Sequence, residues 1–248
     1  MSSNTNYLLG IEDLTVSFDG FKAVEDLNLY IDANELRVII GPNGAGKTTV
    51  LDMICGRTRP TSGSIKFKSR ELIGLPEHAI VHAGIGRKFQ TPSIYENLTV
   101  YENLEVSFPK GRTVFGALTF KTTPEIEERI RSVAETIFLK DYLEVEGAFL
   151  SHGQKQWLEI GMLLMQEPEL LMLDEPVAGM SPAEREQTAV LLNRISTGRS
   201  IIIIEHDMEF VSRIARKVTV LHLGKILAEG SMDEIRENQK VQDVYLGH

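Results

Sequence analysis

Nine consecutive residues early in the chain have the types and spacing of a phosphate-binding loop. They follow the pattern G-x-x-x-x-G-K-[ST] and are Gly41, Pro42, Asn43, Gly44, Ala45, Gly46, Lys47, Thr48 and Thr49. Glycines let backbone N–H groups curl around an anion, and the helix that follows adds its positive dipole end. Lys47 offers a point charge to the outer phosphates, and Thr48 a hydroxyl to Mg²⁺. The apolar run before the loop and the helix-compatible run after it favour nucleotide binding over a Gly-rich turn without a ligand.

Two carboxylates, Asp174 and Glu175, follow a second apolar run, Leu170 to Leu173. Near-continuous apolar residues are typical of a parallel strand covered on both faces. Because α/β sheets bind ligands at the C-terminal ends of their strands, Asp174 and Glu175 are expected at the same edge as the phosphate loop. There Asp174 would hold Mg²⁺ through water, and Glu175 would orient or deprotonate the attacking water. An acidic loop without chemistry is the weaker alternative.

Three more residues are candidates whose roles the local sequence leaves open. His206 follows the apolar run Ser200 to Ile204, so it is either structural or a phosphate contact at the same sheet edge. Phe18 lies beside the hairpin turn Asp19-Gly20, where an aromatic ring either packs at an edge or stacks on adenine. Gln90 precedes Thr91-Pro92 and by itself indicates only a polar loop residue.

The elements around these residues predict an α/β fold. A strand pair is expected over residues 7–31, and an insertion loop over 109–120. Ser151 is placed as the N-cap of a helix that runs to about Met165. Further expected elements are helices over 123–139 and 182–195, a hairpin over 218–228 with Gly224 at its first turn position, and one charged surface helix in the last eighteen residues.

Composition limits the classes of function. The 248 residues carry a formal net charge of −9, which argues against a broad nucleic-acid interface. The one cysteine, Cys55, excludes an intrachain disulfide and is expected as a small buried hydrophobe, which fits a reducing compartment. The sequence has neither a signal-peptide pattern at its start nor an apolar run of about 18 residues. A soluble, intracellular chain is expected, with any membrane role exercised through a partner.

Taken together, these segments resemble the ATP-binding subunit of ABC transporters over essentially the whole chain. The family pattern falls, in order, on Gly41–Thr49 (Walker A), Gln90 (Q-loop), Leu150–Gln154 (signature), Leu170–Glu175 (Walker B) and His206 (switch histidine). The resemblance implies a P-loop NTPase (RecA-like) core with a mostly parallel sheet, an antiparallel β subdomain and a helical subdomain at about 91–165. It also implies one ATP-binding domain over 1–248, without a separate C-terminal domain.

The resemblance implies ATP and Mg²⁺ as cofactors. It implies that Phe18 stacks on adenine and that Gln90 reaches Mg²⁺ and the attacking water. The metal ligands are then Thr48, Gln90 and Asp174, and the catalytic residues are Glu175, His206 and Gln90.

In this family two domains pair head to tail, so that each ATP lies between one Walker A loop and the partner's signature. Ser151, Gly153 and Gln154 are therefore expected to contact the partner's ATP, and the start of their helix is by itself suited to an anion. Two residues depart from the family pattern. His152 replaces a common signature glycine, and Ser181 stands where many members carry Asp.

The resemblance also implies the partners and the location. The partners are a second ATP-binding subunit (in a homodimer or heterodimer), permease subunits and a periplasmic substrate-binding protein, without nucleic acid. The expected location is the cytoplasmic face of the inner membrane, with attachment through the permeases.

The transported substrate is predicted from four segments. Three of them look like the branched-chain amino acid importer group: Phe89-Gln90-Thr91-Pro92, Leu98-Thr99-Val100 and Glu102-Asn103. Residues 150–162 look closer to the urea-importer branch of that group, which predicts urea. The alternatives are a branched-chain amino acid importer and a lipopolysaccharide-export ATPase. From another class, the alternative is a soluble ABC-type ATPase acting on nucleic acid or ribosomes. The intact Glu175 and His206 argue against a scaffold without turnover.

Overall fold

The computed structural model describes residues 7–88, 93–109 and 122–246. The chain divides into two compact units that alternate along the sequence. The first comprises Met1–Arg87, Glu169–Glu175 and Ile195–His248, and the second comprises Lys88–Pro168 and Pro176–Arg194. The prediction of a single ATP-binding domain with a helical subdomain at about 91–165 stays a prediction.

The strands of the described ranges form two sheets. They are β1 (Leu9–Phe18), β2 (Phe21–Ile31), β3 (Leu36–Ile40), β4 (Ser62–Phe67), β5 (Arg70–Glu71), β6 (Ile85–Lys88), β7 (Leu170–Asp174), β8 (Ser200–Ile204), β9 (Lys217–His222) and β10 (Lys225–Gly230). One sheet has the order β2-β1-β4-β5, and its β1 pairs antiparallel with both neighbours. The other has the order β10-β9-β3-β8-β7-β6.

The second sheet is mostly parallel, as the sequence predicts. Strands β9, β3, β8 and β7 pair parallel, and β10 joins antiparallel to β9. Every residue of β3, β7 and β8 is buried, which explains their near-continuous apolar sequences. Because the three strands run in the same direction, the residues that follow Ile40, Asp174 and Ile204 meet at one edge.

The helices of the described ranges are α1 (Lys47–Ile54), α2 (Glu77–His82), α3 (Val100–Val106), α4 (Pro124–Thr136), α5 (His152–Leu164), α6 (Pro182–Ile195), α7 (Met208–Ile214), α8 (Met232–Glu237) and α9 (Gln239–Leu246). Short 3-10 turns cover Lys140–Tyr142 and Gly147–Phe149. No helix within these ranges combines the length and the apolar character needed to cross a membrane. Cys55 is buried at the end of α1, as expected, and burial raises the pKa of its thiol.

Two predictions in the first unit were wrong. The β9–β10 turn consists of Leu223 and Gly224, with φ of 48° and 75°, so Gly224 takes the second turn position and not the first. Left-handed backbone at both central residues is the geometry of a type I′ hairpin turn. The last residues form two helices, α8 and α9, separated at Asn238, and apolar side chains such as Ile235 and Val241 are buried.

The second unit is helical. Trp157 of α5 donates an indole hydrogen bond to Thr188 of α6 at 2.8 Å, and its ring meets Phe138 edge-on at 5.6 Å between centroids. The α5 helix begins after Ser151 as predicted, and α4 ends at Thr136, three residues before the predicted Leu139. The predicted insertion loop lies, from residue 110 onward, outside the described residues.

Candidate nucleotide site

The phosphate loop connects β3 to α1 and depends on glycine at the start of that helix. Gly46 is the N-cap residue with a φ of 97°, a conformation that glycine adopts without a steric cost. A Cβ at Gly46 would lie 2.6 Å from the Ala23 carbonyl oxygen. Within the described residues, no side chain caps α1, and its first turn contains no acidic residue. The first N–H groups of α1 are therefore suited to an anionic ligand.

Lys47 folds back over the loop. Its Nζ donates to the Gly41 carbonyl oxygen at 2.8 Å and to the Pro42 carbonyl oxygen at 3.0 Å. Burial lowers the pKa of Lys47, and the nearby Glu175 and Asp174 carboxylates oppose that change by favouring the ammonium form. The ammonium group is thus held beside the loop, where it can contact a phosphate.

Thr48 and Asp174 form an oxygen pair that fits Mg²⁺. The Thr48 hydroxyl donates to Asp174 Oδ2 at 3.3 Å, which joins the start of α1 to the end of β7. Magnesium binds oxygen ligands and commonly takes only one or two carboxylates, with phosphate oxygens completing its shell. In the described part of the chain no group of three or more His, Cys, Asp or Glu side chains converges, so ligand oxygens would supply the rest of the coordination.

Arg87 supports the Thr48–Asp174 pair through contacts with neighbouring carboxylates. Sequence reasoning did not identify this residue. Its buried guanidinium contacts Asp52 Oδ1 of α1 at 2.7 Å and lies 4.0 Å from Asp174 Oδ2. The side chain therefore links the helix of the phosphate loop to the strand that carries the metal-ligand candidate. Nothing local in the sequence indicates this role, because its partners lie 35 and 87 residues away along the chain.

Glu175 and His206 meet at the same sheet edge. His206 Nδ1 lies 3.5 Å from Glu175 Oε1, and the imidazole is the more exposed of the two side chains. Glu175 has a φ of 45°, and its N–H donates to the Ile204 carbonyl oxygen at 3.0 Å. A left-handed backbone is uncommon for a residue other than glycine, and residues held in such conformations cluster at active sites. The structure thus brings together the predicted base and the predicted switch histidine.

The β9–β10 turn holds the phosphate loop against β2. The Gly224 N–H donates to the Ala45 carbonyl oxygen at 3.1 Å, and the Glu25 N–H donates to the Gly224 carbonyl oxygen at 3.0 Å. A Cβ at Gly224 would lie 2.7 Å from the Ala23 carbonyl oxygen. Glycine is therefore required here for close approach, which the sequence alone did not indicate.

Phe18 is accessible, as a ring that stacks on adenine must be. Its side chain is 49% exposed. Across the Asp19-Gly20 turn it pairs with Phe21, a second aromatic residue that is 66% exposed. Sequence reasoning did not identify Phe21. Stacking by Phe18 stays a prediction. Gln90 lies outside the described residues, and its predicted roles stay predictions.

The signature segment lies in the second unit and is capped by its own residues. Ser151 Oγ accepts from the Gln154 N–H at 3.2 Å, and Gln154 Oε1 accepts from the Ser151 N–H at 2.9 Å, which forms a capping box. The Ser151 hydroxyl also donates to Glu184 Oε1 at 2.9 Å.

Both departures from the family pattern have structural partners within this unit. His152 Nε2 lies 3.0 Å from the Ala178 carbonyl oxygen, so a protonated Nε2 donates to the loop before α6. Ser181 donates to Glu184 Oε2 through its N–H at 2.9 Å and its hydroxyl at 2.8 Å. The N–H and hydroxyl of Ser181 are the main cause of the lowered pKa of Glu184, with further contributions from Ser151 and Gly153.

Comparison with known proteins agrees with this geometry. Residues 24–178 match the family described as ABC transporter, and residues 225–248 match the one described as branched-chain amino acid ATP-binding cassette transporter. The ATP-binding cassette MJ1267 of an ABC transporter, solved in its ADP conformation, has a TM-score of 0.83 and 29% identity. That likeness covers 98% of this chain and 100% of that chain. The chain belongs to the ABC transporter family, as an ATP-binding subunit with ATPase activity.

Curated relatives define the type more narrowly. The high-affinity branched-chain amino acid transport ATP-binding protein BraF of Pseudomonas aeruginosa is 35% identical, over 97% of this chain and 98% of its own length. LivG of Escherichia coli has the same identity and the same coverage. Within its family the chain is therefore an ATP-binding subunit of the branched-chain amino acid (LivG/BraF) type.

Proposed function

We propose that this subunit powers a membrane importer by hydrolysing ATP between itself and a second ATP-binding subunit. One observation carries the proposal: Lys47, the Thr48–Asp174 pair and the Glu175–His206 pair converge at one edge of the parallel sheet. That edge combines donors for phosphate, oxygen ligands for a divalent cation and a carboxylate near an imidazole. The proposed partners are permease subunits at the cytoplasmic face of the inner membrane and a periplasmic substrate-binding protein.

Each residue has a distinct task in the proposed reaction. Lys47 and the N–H groups of the loop bind the phosphates of ATP, and Phe18 stacks on the adenine ring. Thr48, Asp174 and Gln90 hold Mg²⁺, which when bound neutralises charge on the phosphate oxygens.

The proton chemistry falls to the Glu175–His206 pair. Glu175 orients the attacking water and accepts its proton, because its carboxylate is at the sheet edge and partly exposed. His206 holds the Glu175 carboxylate and contacts the terminal phosphate.

The signature segment is proposed to act on the ATP of the second subunit. The donors available there are the Ser151 hydroxyl and the first N–H groups of α5, including that of Gly153. Hydrogen-bond donors at a helix N-terminus suit the terminal phosphate of that ATP. Gln154 supports the contact through its capping box with Ser151. ATP binding then closes the two subunits, and hydrolysis releases them.

Two substrates are proposed for the importer. Branched-chain amino acids are favoured by the names of the relatives at 35% identity. Urea is favoured by the run Leu150-Ser151-His152-Gly153-Gln154-Lys155-Gln156-Trp157, which looks closer to the urea-importer branch. The ATP-binding subunit is not expected to touch the substrate, so transport itself must distinguish the two.

The test is uptake of labelled leucine and labelled urea by cells that carry Glu175→Gln in place of the native chain. Glu209→Gln is the matched control, because Glu209 is exposed and its carboxylate pairs with Arg213 in a local helix contact. We expect Glu175→Gln to reduce uptake of one substrate by at least about a hundredfold, the usual scale for losing a general base, while the control retains uptake. Unchanged uptake of both substrates would refute the importer.

A further inference from the structure

Glu184 gathers hydrogen-bond donors from two segments of the second unit. Its Oε2 accepts from the N–H and the hydroxyl of Ser181, at 2.9 and 2.8 Å. Its Oε1 accepts from the Ser151 hydroxyl at 2.9 Å. One carboxylate of the chain thus acts as an anion at the start of α5, where the proposed function requires a phosphate.

Gly153 allows this approach. Its backbone is helical, and a Cβ at that position would collide with the Glu184 carboxylate. Glu184 therefore lies directly over the first turn of α5. A phosphate that approaches the same donors meets a negative charge there, and two anions in one site repel each other.

The Ser151 hydroxyl has a single proton to donate. Its oxygen already accepts from the Gln154 N–H, and its proton goes to Glu184. A hydroxyl donates one hydrogen bond only, so Ser151 cannot donate to Glu184 and to a phosphate at the same time. Binding of the phosphate must therefore break the contact between Ser151 and Glu184.

We propose that Glu184 is a positioning residue that competes with the terminal phosphate of ATP for the Ser151 hydroxyl and so limits closure of the two subunits. The proposal rests on the proposed pairing of this subunit with a second one around ATP. Ser181 belongs to the same arrangement, because its N–H and hydroxyl keep the carboxylate directed at Ser151.

The test uses the assembled transporter, isolated through a tag on this chain, with its ATPase rate measured against ATP concentration. Glu184→Gln keeps the shape and an acceptor oxygen but removes the charge, and neutral acceptors bind hydroxyls about half as strongly as ionised ones. We expect the KM for ATP to fall by roughly fivefold, with kcat changed by less than about twofold. Glu186→Gln, which removes the same charge two residues away on α6, should leave both values unchanged.

A purely structural role for Glu184 predicts the opposite change in the KM for ATP. Loss of a capping contact would raise KM or lower kcat, and either result, or no change, would overturn the competition. In a Ser151→Ala background the gain from Glu184→Gln should shrink to the part that comes from charge repulsion, and a gain of undiminished size would also overturn the competition. If the tagged chain co-purifies with no permease and hydrolyses no ATP, the proposed function itself is refuted. A transporter that hydrolyses ATP with an unchanged KM refutes only the competition by Glu184.

Discussion

The starts of α1 and α5 are two helix N-termini suited to the same kind of ligand but satisfied in opposite ways. At α1 the N-cap is Gly46, and within the described residues no side chain caps the helix. At α5 Ser151 and Gln154 already form a capping box, and the Ser151 hydroxyl already donates to the Glu184 carboxylate. The first terminus is therefore organised in advance for phosphate, whereas the second must exchange internal partners for it.

At the start of α1, the contacts that stabilise the helix are separate from the groups that bind the ligand, whereas at the start of α5 they are the same. Helix α1 obtains its stability from packing, since Val50, Leu51, Met53 and Ile54 are buried. Its N-terminus can therefore stay uncapped without loss of the helix. At α5 the atoms that cap the helix are the same ones that are proposed to bind the phosphate. A change there is therefore expected to alter the stability of the helix and phosphate binding together.

Alanine at matched glycines should produce the largest difference between the two termini. Gly46→Ala places a Cβ in a left-handed backbone and 2.6 Å from a carbonyl oxygen, so we expect nucleotide binding to be lost and unfolding to become easier by about 1–3 kcal/mol. Gly153→Ala meets only the flexible end of Glu184 and should change the unfolding free energy by less than about 1 kcal/mol. Isothermal titration calorimetry and denaturant unfolding measure both. Equal losses in the two variants would contradict the comparison.

A smaller contrast is expected from one side chain at the start of each helix, Lys47 of α1 and the N-cap residue Ser151 of α5. Lys47→Ala removes a charged donor and should weaken ATP binding to the single chain by about tenfold to 150-fold. Ser151→Ala should leave that affinity unchanged but lower the unfolding free energy by about 1 kcal/mol through loss of the cap. Nucleotide titration and thermal unfolding of the same preparations provide the readouts. Weakened ATP binding by the Ser151→Ala single chain would mean that the two termini do not act separately.

The smallest effect is expected on the unfolding free energy when the pH is lowered. The folded pKa of Glu184 is lowered below the ordinary 4.5, so the stability it contributes is present above that value and is lost as the pH falls through the folded pKa. Wild type should exceed Glu184→Gln in unfolding free energy at pH 7, and the gap should narrow below about pH 4.5. Urea unfolding of both proteins between pH 7 and pH 3 checks this. A gap that stays constant into acid would show that the carboxylate is not the source of the stability.

Local patterns were sufficient to predict which side chains meet at the sheet edge, but not the contacts that support them. The spacing of Gly41 to Thr49 and the carboxylates after an apolar strand predict neighbours, because parallel strands end at one edge. Arg87 and the Ser151 contact of Glu184 depend on partners that are distant in sequence, and no period or spacing indicates such contacts. The β9–β10 turn was misplaced by one residue because its type I′ geometry requires left-handed backbone at Leu223 as well as at Gly224.

The Gly224 contacts also restrict how the protein can be engineered. A hairpin tip is usually a good place for an inserted epitope or fluorophore, because it is exposed and few atoms depend on it. Here both backbone groups of Gly224 are engaged, one with Ala45 of the phosphate loop and the other with Glu25 of β2. An insertion at residues 223–224 would therefore disturb the nucleotide site. The Asp19-Gly20 tip is also a poor alternative, since it carries the adenine-stacking candidate Phe18, and labels belong on the exposed face of α4.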